Sequence, residues 1–474
     1  MNKNNISLSD ILEALSGNYL KDAENIRVSG AAKHSQEIMP GGLFVAIQGV
    51  NVDGHNYIEQ AFNNGARLAL IDKNIDGNYQ IINTLKEIPA DTKFSAPLCI
   101  LVENSLDALQ KIAAFWQKKL QVRTIGITGS VGKSTSKEVI AEILSVKYET
   151  HKNIGNLNNE IGLPLTIIGL TKTHQRMILE MGFYVPGEIK FLCDIAKPKV
   201  GVITNIGLVH AERAGSQETI ARGKTELVEA LPKDGFAILN YDDPLVREMA
   251  TKTKAKVLFY GLSKEAYLYA DEIDSLGLDG IRLRLNFRGD SNHLRVPLIG
   301  RHSVHTVLRA AAVGLVEGLD WPEIVYGLKS VTSQIRLMAV RAQNGAILID
   351  DTYNASPQST IAALELLSEL PGKKIAVLGD MLELGQYEIL GHQMVGVKAA
   401  EIADILIVLG KRAKTIADSA LMNGMPLENV YRKETPDSII LFLKDILNKN
   451  HSVLVKGSRG MKMDGIVPAL EKVT

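Results

Sequence analysis

The chain of 474 residues is poor in cysteine, in charge of one sign and in long apolar runs. Its only cysteines, Cys99 and Cys193, cannot form a disulfide framework, and so few thiols are typical of a reducing compartment. Lysine and arginine together number 53, as do aspartate and glutamate, so no net charge predicts binding to nucleic acid or to an anionic membrane. The start of the chain has no apolar signal core, and no apolar run is long enough to cross a bilayer. We therefore expect a cytoplasmic monomer without a nucleic-acid partner and without membrane insertion.

One segment, residues 124–135, has the layout of a phosphate-binding loop: TIGITGSVGKST. An apolar strand-like run enters a glycine turn, and a Lys-Ser pair begins a helix, so backbone N–H groups and the helix N-terminus would face phosphate oxygens. Lys133 would bring positive charge to the outer phosphates, and the Ser134 hydroxyl would bind Mg²⁺. The first glycine of the general G-x-x-x-x-G-K-[ST] pattern is absent, because Ile127 occupies its position. A chance Gly-Lys-Ser at a helix start is the alternative, which the strand–loop–helix context disfavours. The predicted nucleotide-binding residues are Gly129, Ser130, Val131, Gly132, Lys133, Ser134 and Thr135.

Length and the order of predicted elements indicate an α/β protein of three domains. Residues 1–120 predict a small α/β domain, and residues 121–331 a central nucleotide-binding domain with a mostly parallel sheet and antiparallel strands at 266–297. Residues 332–474 alternate short apolar runs with helices, which predicts a doubly wound, Rossmann-like domain. Its first strand lacks the G-x-G-x-x-G of a dinucleotide site. In the first domain we expect an irregular surface segment at 74–97, and in the second a turn at 162–164.

Polar side chains follow several of the predicted strands, where α/β sheets place their ligands. Glu180 could bind magnesium there, or it is a solvated strand-end carboxylate. His210 follows another strand, and a lone histidine is more often a structural residue. The third domain offers a further set, and in the first domain Asp53 and His55 either contact a ligand or form a capped turn. The strand-end candidates of the third domain are Asp350, Asp351, Asn354, Asp380, Glu383, Lys456, Ser458 and Arg459.

Several motifs together resemble the Mur ligases, the ATP-dependent enzymes that build the peptidoglycan stem peptide. In chain order the similar segments are LFVAIQGVNVDGHNYIEQAFNNGA, TGSVGKSTSKE, GNLNNEIGLPLT, LEMG, NIGLVHAERAGSQETIARGKTEL, LNYDDP, DDTYNASPQS, LGDMLELG and LVKGSRG. The resemblance runs over nearly the whole chain, and the family's phosphate loop also lacks the outer glycine. The DDTYNASPQS, LGDMLELG and LVKGSRG segments are similar to the members that add D-alanyl-D-alanine.

The resemblance implies roles for individual residues. Lys133 and the loop amides would hold the ATP phosphates, and Ser134 and Glu180 one Mg²⁺. His210 and Lys224 would belong to a second Mg²⁺ site, with Lys224 carbamylated; on physics alone Lys224 would be a surface lysine. Arg336 and Asp351 would reach the nucleotide. Asp53, His55, Asn354, Asp380 and Lys456 are the implied substrate-binding residues, and Lys133, Lys224, His210 and Arg336 the implied catalytic ones.

The chain departs from the family pattern at several positions. Residues 34–36 are His-Ser-Gln where Asp-Ser-Arg is usual. Ser303 and Thr306 stand where asparagines are usual, and Gly223 replaces an alanine before Lys224. We interpret the change at position 223 as neutral.

The resemblance implies that the enzyme joins D-alanyl-D-alanine to UDP-N-acetylmuramoyl-tripeptide with ATP and Mg²⁺. A carboxylate is a poor electrophile, so amide formation requires an activated acyl group. Transfer of the γ-phosphoryl group to the carboxylate needs a loop, a lysine and metal ions to neutralise the developing charge. Two alternatives remain: a Mur-type ligase that adds a different amino acid, and a phosphate-loop NTPase switch without ligase activity.

Overall fold

The computed structural model describes residues 5–208, 211–331 and 338–471, and it arranges their strands in three separate sheets. The first sheet has the strand order β1-β2-β3-β5-β4, and all its strand pairs are parallel. Its strands are β1 (Ala31–Ala32), β2 (Leu43–Val45), β3 (Leu68–Ile71), β4 (Gln80–Asn83) and β5 (Leu98–Leu101). The helices of this part are α1 (Leu8–Ser16), α2 (Ile58–Asn63) and α3 (Ser105–Leu120).

The second sheet has nine strands in the order β14-β13-β12-β11-β10-β9-β6-β8-β7. Its strands are β6 (Arg123–Thr128), β7 (Thr150–Lys152), β8 (Arg176–Glu180), β9 (Val200–Ile203), β10 (Phe236–Asn240), β11 (Lys256–Gly261), β12 (Leu268–Ser275), β13 (Ile281–Phe287) and β14 (Asp290–Val296). Strand β13 pairs antiparallel with β12 and β14, as the alternating pattern predicted, and the other pairs are parallel. The helices are α4 (Lys133–Ser145), α5 (Gly162–Ile168), α6 (Glu188–Ala196), α7 (Ala211–Ala214), α8 (Gln217–Glu229), α9 (Pro244–Glu248), α10 (Val304–Val316) and α11 (Trp321–Lys329).

The third sheet has the order β15-β16-β20-β17-β18-β19, with only the β15–β16 pair antiparallel among its described strands. The strands are β15 (Met338–Arg341), β16 (Ile347–Asp351), β17 (Lys373–Gly379), β18 (Ile405–Leu409), β19 (Val430–Lys433) and β20 (His451–Lys456). The helices are α12 (Pro357–Glu369), α13 (Glu388–Ile402), α14 (Lys414–Met422) and α15 (Pro436–Ile446). The predicted three-part α/β fold class, with a mostly parallel central sheet and a doubly wound C-terminal sheet, is confirmed.

Two local predictions are wrong. Residues 80–83 form strand β4 inside the segment that we expected to be irregular, because edge strand β4 pairs with β5. Residues 162–168 form the buried helix α5, where we expected a turn at 162–164. Pro164 is compatible with this helix because proline is tolerated in a first helical turn. The cap of α1 is Ser7, whose hydroxyl and the Asp10 carboxylate form a capping box.

Helix α3 connects the first two sheets into one hydrophobic core. Trp116 is fully buried, and its indole N–H donates to the Leu170 carbonyl at 3.0 Å. The Gln117 amide donates to the Val122 and Ala196 carbonyls at 2.9 and 3.2 Å. The third sheet has hydrophobic clusters of its own on its two faces. Within the described ranges no helix combines the length and the apolar character needed to span a membrane.

A buried carboxylate fixes the edge of the second sheet. The Glu317 side chain has no exposed surface and accepts from Arg123 Nε at 2.6 Å and from Arg176 Nε. The Arg176 guanidinium lies 3.7 Å from the centre of the Tyr148 ring, and the Tyr148 hydroxyl donates to the Glu317 carbonyl at 2.7 Å. One acidic residue thus joins α10 to β6, β8 and the segment after α4.

We expect Glu317→Ala to lower the free energy of unfolding by about 2–4 kcal/mol, because two partly buried guanidinium groups lose their counter-charge. Urea unfolding followed by circular dichroism measures this change. Asp194→Ala is the matched control, since the Asp194–Lys197 ion pair is about two-thirds exposed on each side (64% and 67%) and should hardly contribute. Equal stability of the two variants would contradict a structural role for the Glu317 network.

Candidate active site

The loop between β6 and α4 adopts a conformation that depends on its two glycines. Gly129 has a φ of 146° and Gly132 a φ of 81°, both in the left-handed region. A Cβ at Gly129 would stand 1.8 Å from the hydroxyl oxygen of Thr204, the residue directly after β9, so there is no room for a side chain. Ile127, at the position of the missing outer glycine, is a fully buried strand residue that pairs with Glu180 and Val202. The sharp turn therefore begins two residues later than in the general motif.

Asn205 fixes the outer part of this loop, and the sequence did not indicate its role. Its side-chain oxygen accepts from the Val131 N–H at 3.0 Å, and its amide donates to the Val131 carbonyl at 3.1 Å. The Ser130 N–H donates to the Asn205 carbonyl at 2.9 Å, and the Gly207 N–H donates to the Ser130 hydroxyl at 2.8 Å. The Ser130 and Val131 amides are thus engaged by the protein, whereas the first amides of α4 have no carbonyl within their own helix.

Lys133 and Lys224 both reach the carbonyl oxygen of Gly129. Lys133 Nζ donates to it at 2.8 Å and to the Ser130 carbonyl at 3.2 Å, and Lys224 Nζ donates to it at 3.0 Å from helix α8. Lys224 is buried, only 3% exposed, rather than on the surface as its helix alone suggested. Burial, and then the nearby charge of Lys133, hold the pKa of Lys224 well below its usual value.

The glycine before Lys224 has a steric explanation. A Cβ at Gly223 would stand 2.0 Å from a ring carbon of Phe183. The same ring lies 4.9 Å from Lys224 Nζ, so it covers the lysine on one side. The departure at position 223, which we interpreted as neutral, therefore makes room for Phe183.

Glu180 lies at the end of β8 beside the start of α4. The Ser134 hydroxyl donates a short hydrogen bond to one carboxylate oxygen, and the Asn158 amide donates to the other at 2.9 Å. The Asn153 side chain bonds both the N–H and the carbonyl of Glu180, at 2.9 and 3.0 Å. Two hard oxygen donors, a hydroxyl and a carboxylate, thus meet in a rigid setting, and this donor set fits Mg²⁺ that also binds substrate phosphates.

A cleft of about 400 Å³ connects the phosphate loop with the carboxyl end of the third sheet. Asp351, Asn354 and Lys456 line its far side. Lys456 is almost fully buried, and its Nζ donates to Asp351 Oδ2 at 2.5 Å and to the Asn354 carbonyl at 2.8 Å. The lining residues on the loop side include Ser130, Val131, Gly132, Lys133 and Thr135, and on the α10 side His302, Ser303, His305, Thr306 and Arg309.

The remaining predicted site residues either lie away from this cleft or fall outside the residues that the structure describes. Asp53 accepts from the His55 N–H at 3.0 Å and contacts His55 Nδ1 at 2.7 Å, and His55 Nε2 lies 3.2 Å from the Asp72 carboxylate. Both residues thus form a capped turn beside the first sheet. Asp380 is buried in the third sheet and accepts from the Ala413 N–H at 2.7 Å. His210 and Arg336 lie outside the described residues.

The geometry suits transfer of a phosphoryl group to an acceptor. The loop, the start of α4 and Lys133 offer donors and positive charge at one end of the cleft, where phosphate charge would be neutralised. Glu180 and Ser134 offer metal ligands beside them, and the third sheet closes the other side. Closure of this cleft over both substrates would exclude water, which would otherwise hydrolyse a reactive acyl phosphate.

Comparison with known proteins places the whole chain in one family. Residues 28–117 match the catalytic-domain model of the Mur ligase family, residues 127–314 the Mur ligase middle domain, and residues 335–459 the Mur ligase glutamate ligase domain. These ranges follow the three sheets in order.

Similar proteins cover nearly the full length. A UDP-N-acetylmuramoyl-tripeptide--D-alanyl-D-alanine ligase from Synechocystis is 35% identical over 98% of this chain and 97% of its own length. The ligase of the same name from Bacillus subtilis is 33% identical over 94% of each chain. Among solved structures, MurF from Acinetobacter baumannii superimposes with a TM-score of 0.82 at 28% identity, covering 98% of both chains. MurF from Thermotoga maritima in complex with ADP gives a TM-score of 0.77 at 27% identity, covering 94% of this chain and 97% of that one. With family models, relatives and structural neighbours in agreement, the chain belongs to the Mur ligase family.

Proposed function

We propose that this Mur ligase uses ATP to join D-alanyl-D-alanine to UDP-N-acetylmuramoyl-tripeptide, a step of peptidoglycan precursor synthesis. The proposal rests on one observation: the phosphate loop and the residues Asp351, Asn354 and Lys456 line the same cleft. The nucleotide end and the acceptor end of an amide ligase require such a shared space, because the acyl phosphate must meet the amine before water does.

On the nucleotide side, Lys133 and the first amides of α4 would neutralise the charge of the transferred phosphoryl group. Ser134 and Glu180 would hold Mg²⁺, which would neutralise part of the negative charge of the phosphate groups. Asp351 would contact the nucleotide from the third sheet. Arg336 and His210 keep the roles that the family resemblance implies: Arg336 toward the nucleotide, and His210 in a second metal site.

Lys224 would supply an oxygen ligand after modification. An ammonium group has no lone pair for a metal and repels it. Lys224 is buried, and no acidic group accepts from it among the described residues; its Nζ bonds a backbone carbonyl instead. The neutral amine can add to CO₂ and release one proton to solvent, which gives an anionic carbamate suited to a hard cation.

On the acceptor side, Asn354 would face the incoming dipeptide, with Lys456 and Asp380 supporting that end of the third sheet. The turn of Asp53 and His55 would shape the UDP-sugar site of the first sheet. We further propose domain boundaries near residues 120 and 331, a monomeric enzyme and a cytoplasmic location.

The proposed reaction is tested by phosphate release from ATP in the presence of UDP-N-acetylmuramoyl-tripeptide and one acceptor at a time: D-alanyl-D-alanine, D-alanine or meso-diaminopimelate. We expect turnover with the dipeptide and at most weak turnover with the single amino acids. Lys133→Ala is the inactive control, with kcat lower by about a hundredfold or more. Acceptor-independent phosphate release would instead favour an NTPase switch, and turnover with meso-diaminopimelate a ligase of different specificity.

Lys224→Ala should lose about a hundredfold or more of the ligation rate, because the carbamate oxygen is gone. Formate or acetate should restore part of the rate by occupying the vacated ligand position. NMR with isotopically labelled CO₂ should show a carbamate signal in the unaltered enzyme that the variant lacks. Arg222→Ala, an exposed change on the same helix, is the control and should behave like the unaltered enzyme. Normal ligation by Lys224→Ala would contradict the carbamate.

Asn354→Ala should raise the KM for D-alanyl-D-alanine about tenfold and leave the KM for ATP nearly unchanged, because only the acceptor loses a contact. Steady-state kinetics with each substrate varied in turn measures both constants. Asn423→Ala, at an exposed asparagine after α14, serves as the control. A matching rise in the KM for ATP would place Asn354 at the nucleotide instead.

A further inference from the structure

Helix α10 carries a buried arginine that the described mechanism does not use. Arg309 is only 3% exposed. Its Nε donates to the Ser136 hydroxyl at 2.8 Å, Nη1 to the Tyr260 hydroxyl at 3.3 Å, and Nη2 to the Thr306 hydroxyl at 2.9 Å. All three acceptors are neutral oxygens. Two of the five guanidinium N–H groups remain available after these bonds.

No carboxylate of the described residues forms an ion pair with Arg309. This differs from Arg123 and Arg176 of the same sheet, which share the buried Glu317. A guanidinium stays protonated in proteins, so burial cannot neutralise it. A buried charge without a counter-charge is unfavourable unless an anion is present in the functional state.

The guanidinium lies against the phosphate loop. Its Nη2 is 3.1 Å from the point where a Cβ would stand on Gly132. The Ser136 hydroxyl, which accepts from Arg309, donates to the Gly132 carbonyl at 2.6 Å, so one hydroxyl links the arginine to the glycine directly before α4. Arg309 and Lys133 line the same cleft, together with Lys456.

His302, which lies just before α10, lines the cleft on the same side as Arg309. Arg309 and Lys133 thus bring two positive side chains to the loop end of the cleft. A nucleotide triphosphate, with three to four negative charges, is the anion that fits.

We propose that Arg309 is a further nucleotide-binding residue, whose buried guanidinium supplies counter-charge to the polyphosphate of ATP beside Gly132. The inference rests on the proposed use of ATP in this cleft. Thr306, which stands where asparagine is usual in the family, accepts from Nη2 and so holds the guanidinium in place. The strength of the interaction should therefore increase with the number of phosphates.

A purely structural role is the alternative, and the surrounding bonds disfavour it. The Ser136 and Tyr260 hydroxyls each donate to a backbone carbonyl, at 2.6 Å to Gly132 and at 3.1 Å to Ile203. These hydroxyls therefore stay satisfied without the guanidinium. Methionine, with a long apolar side chain, can fill the same space without a buried charge.

The test compares the binding of ATP, ADP, AMP and adenosine to the unaltered enzyme, Arg309→Met and Arg309→Lys by calorimetry. We expect Arg309→Met to weaken ATP binding about tenfold or more, as loss of a charge-assisted hydrogen bond does, and ADP binding less. Adenosine binding should change less than twofold. Arg309→Lys keeps the positive charge, so its affinity for ATP should lie between those of the unaltered enzyme and Arg309→Met. Arg301→Met, at an exposed arginine outside the cleft, should match the unaltered enzyme.

Thermal unfolding provides the second measurement. Without nucleotide, Arg309→Met should have an unchanged or higher Tm, because an unpaired buried charge is gone, while the rise in Tm on adding ATP should shrink. Equal losses for adenosine and ATP, or a lower Tm without nucleotide in both variants, would show a structural role and overturn the inference. Unchanged ATP binding in both variants would overturn the inference and leave the proposed function intact. Absence of ATP binding by the unaltered enzyme would overturn both.

Discussion

The carbonyl oxygen of Gly129 is the point on which the candidate site depends. Two lysines from different helices donate to it, and the turn that presents it is packed against Thr204 so closely that only glycine fits. Because this oxygen is fixed by the β6–β9 pairing, it fixes in turn where the Lys133 and Lys224 amines lie. The position of the site therefore depends on the sheet. The register of the strands determines where the glycine turn lies, and the turn determines the position of the Gly129 carbonyl. That carbonyl in turn holds the two lysine amines, which would interact with phosphate and with CO₂.

The features that follow from local pattern were predictable from the sequence. The phosphate loop, the strand that ends in Glu180 and the alternation of the third sheet depend on residues close together in the chain, so periodicity and turn chemistry reveal them. The predicted resemblance to Mur ligases is confirmed by the family models. Asn205, Arg309 and Phe183 were missed because their partners are far away in sequence: Arg309 bonds a hydroxyl 173 residues away, and Asn205 a loop 74 residues away. No local pattern carries such information. The α5 helix was missed because a short apolar run with an early proline does not distinguish helix from strand.

Two departures from the family pattern have physical partners in this chain. Gly223 leaves the space that the Phe183 ring occupies, and the Thr306 hydroxyl accepts from Arg309. In each case a small or uncharged group lies directly against a large or charged one. Changes of this kind preserve packing while they alter the electrostatics next to the loop. They show why a single unusual residue, taken by itself, says little about whether a site is intact.

The distribution of the hydrophobic cores has a mechanical consequence. One cluster runs through the first and second sheets around Trp116, whereas the fully buried members of the two clusters of the third sheet all come from residues 342–470. The two walls of the cleft are thus anchored in separate interiors. A change in the width of the cleft would rearrange the contacts between the two parts, such as the bond from Gln386 to the Gly215 carbonyl and the packing of Ile299 against the third sheet, and would leave the buried members of each core in place. Relative movement of the two walls of the cleft therefore does not require repacking of a buried core.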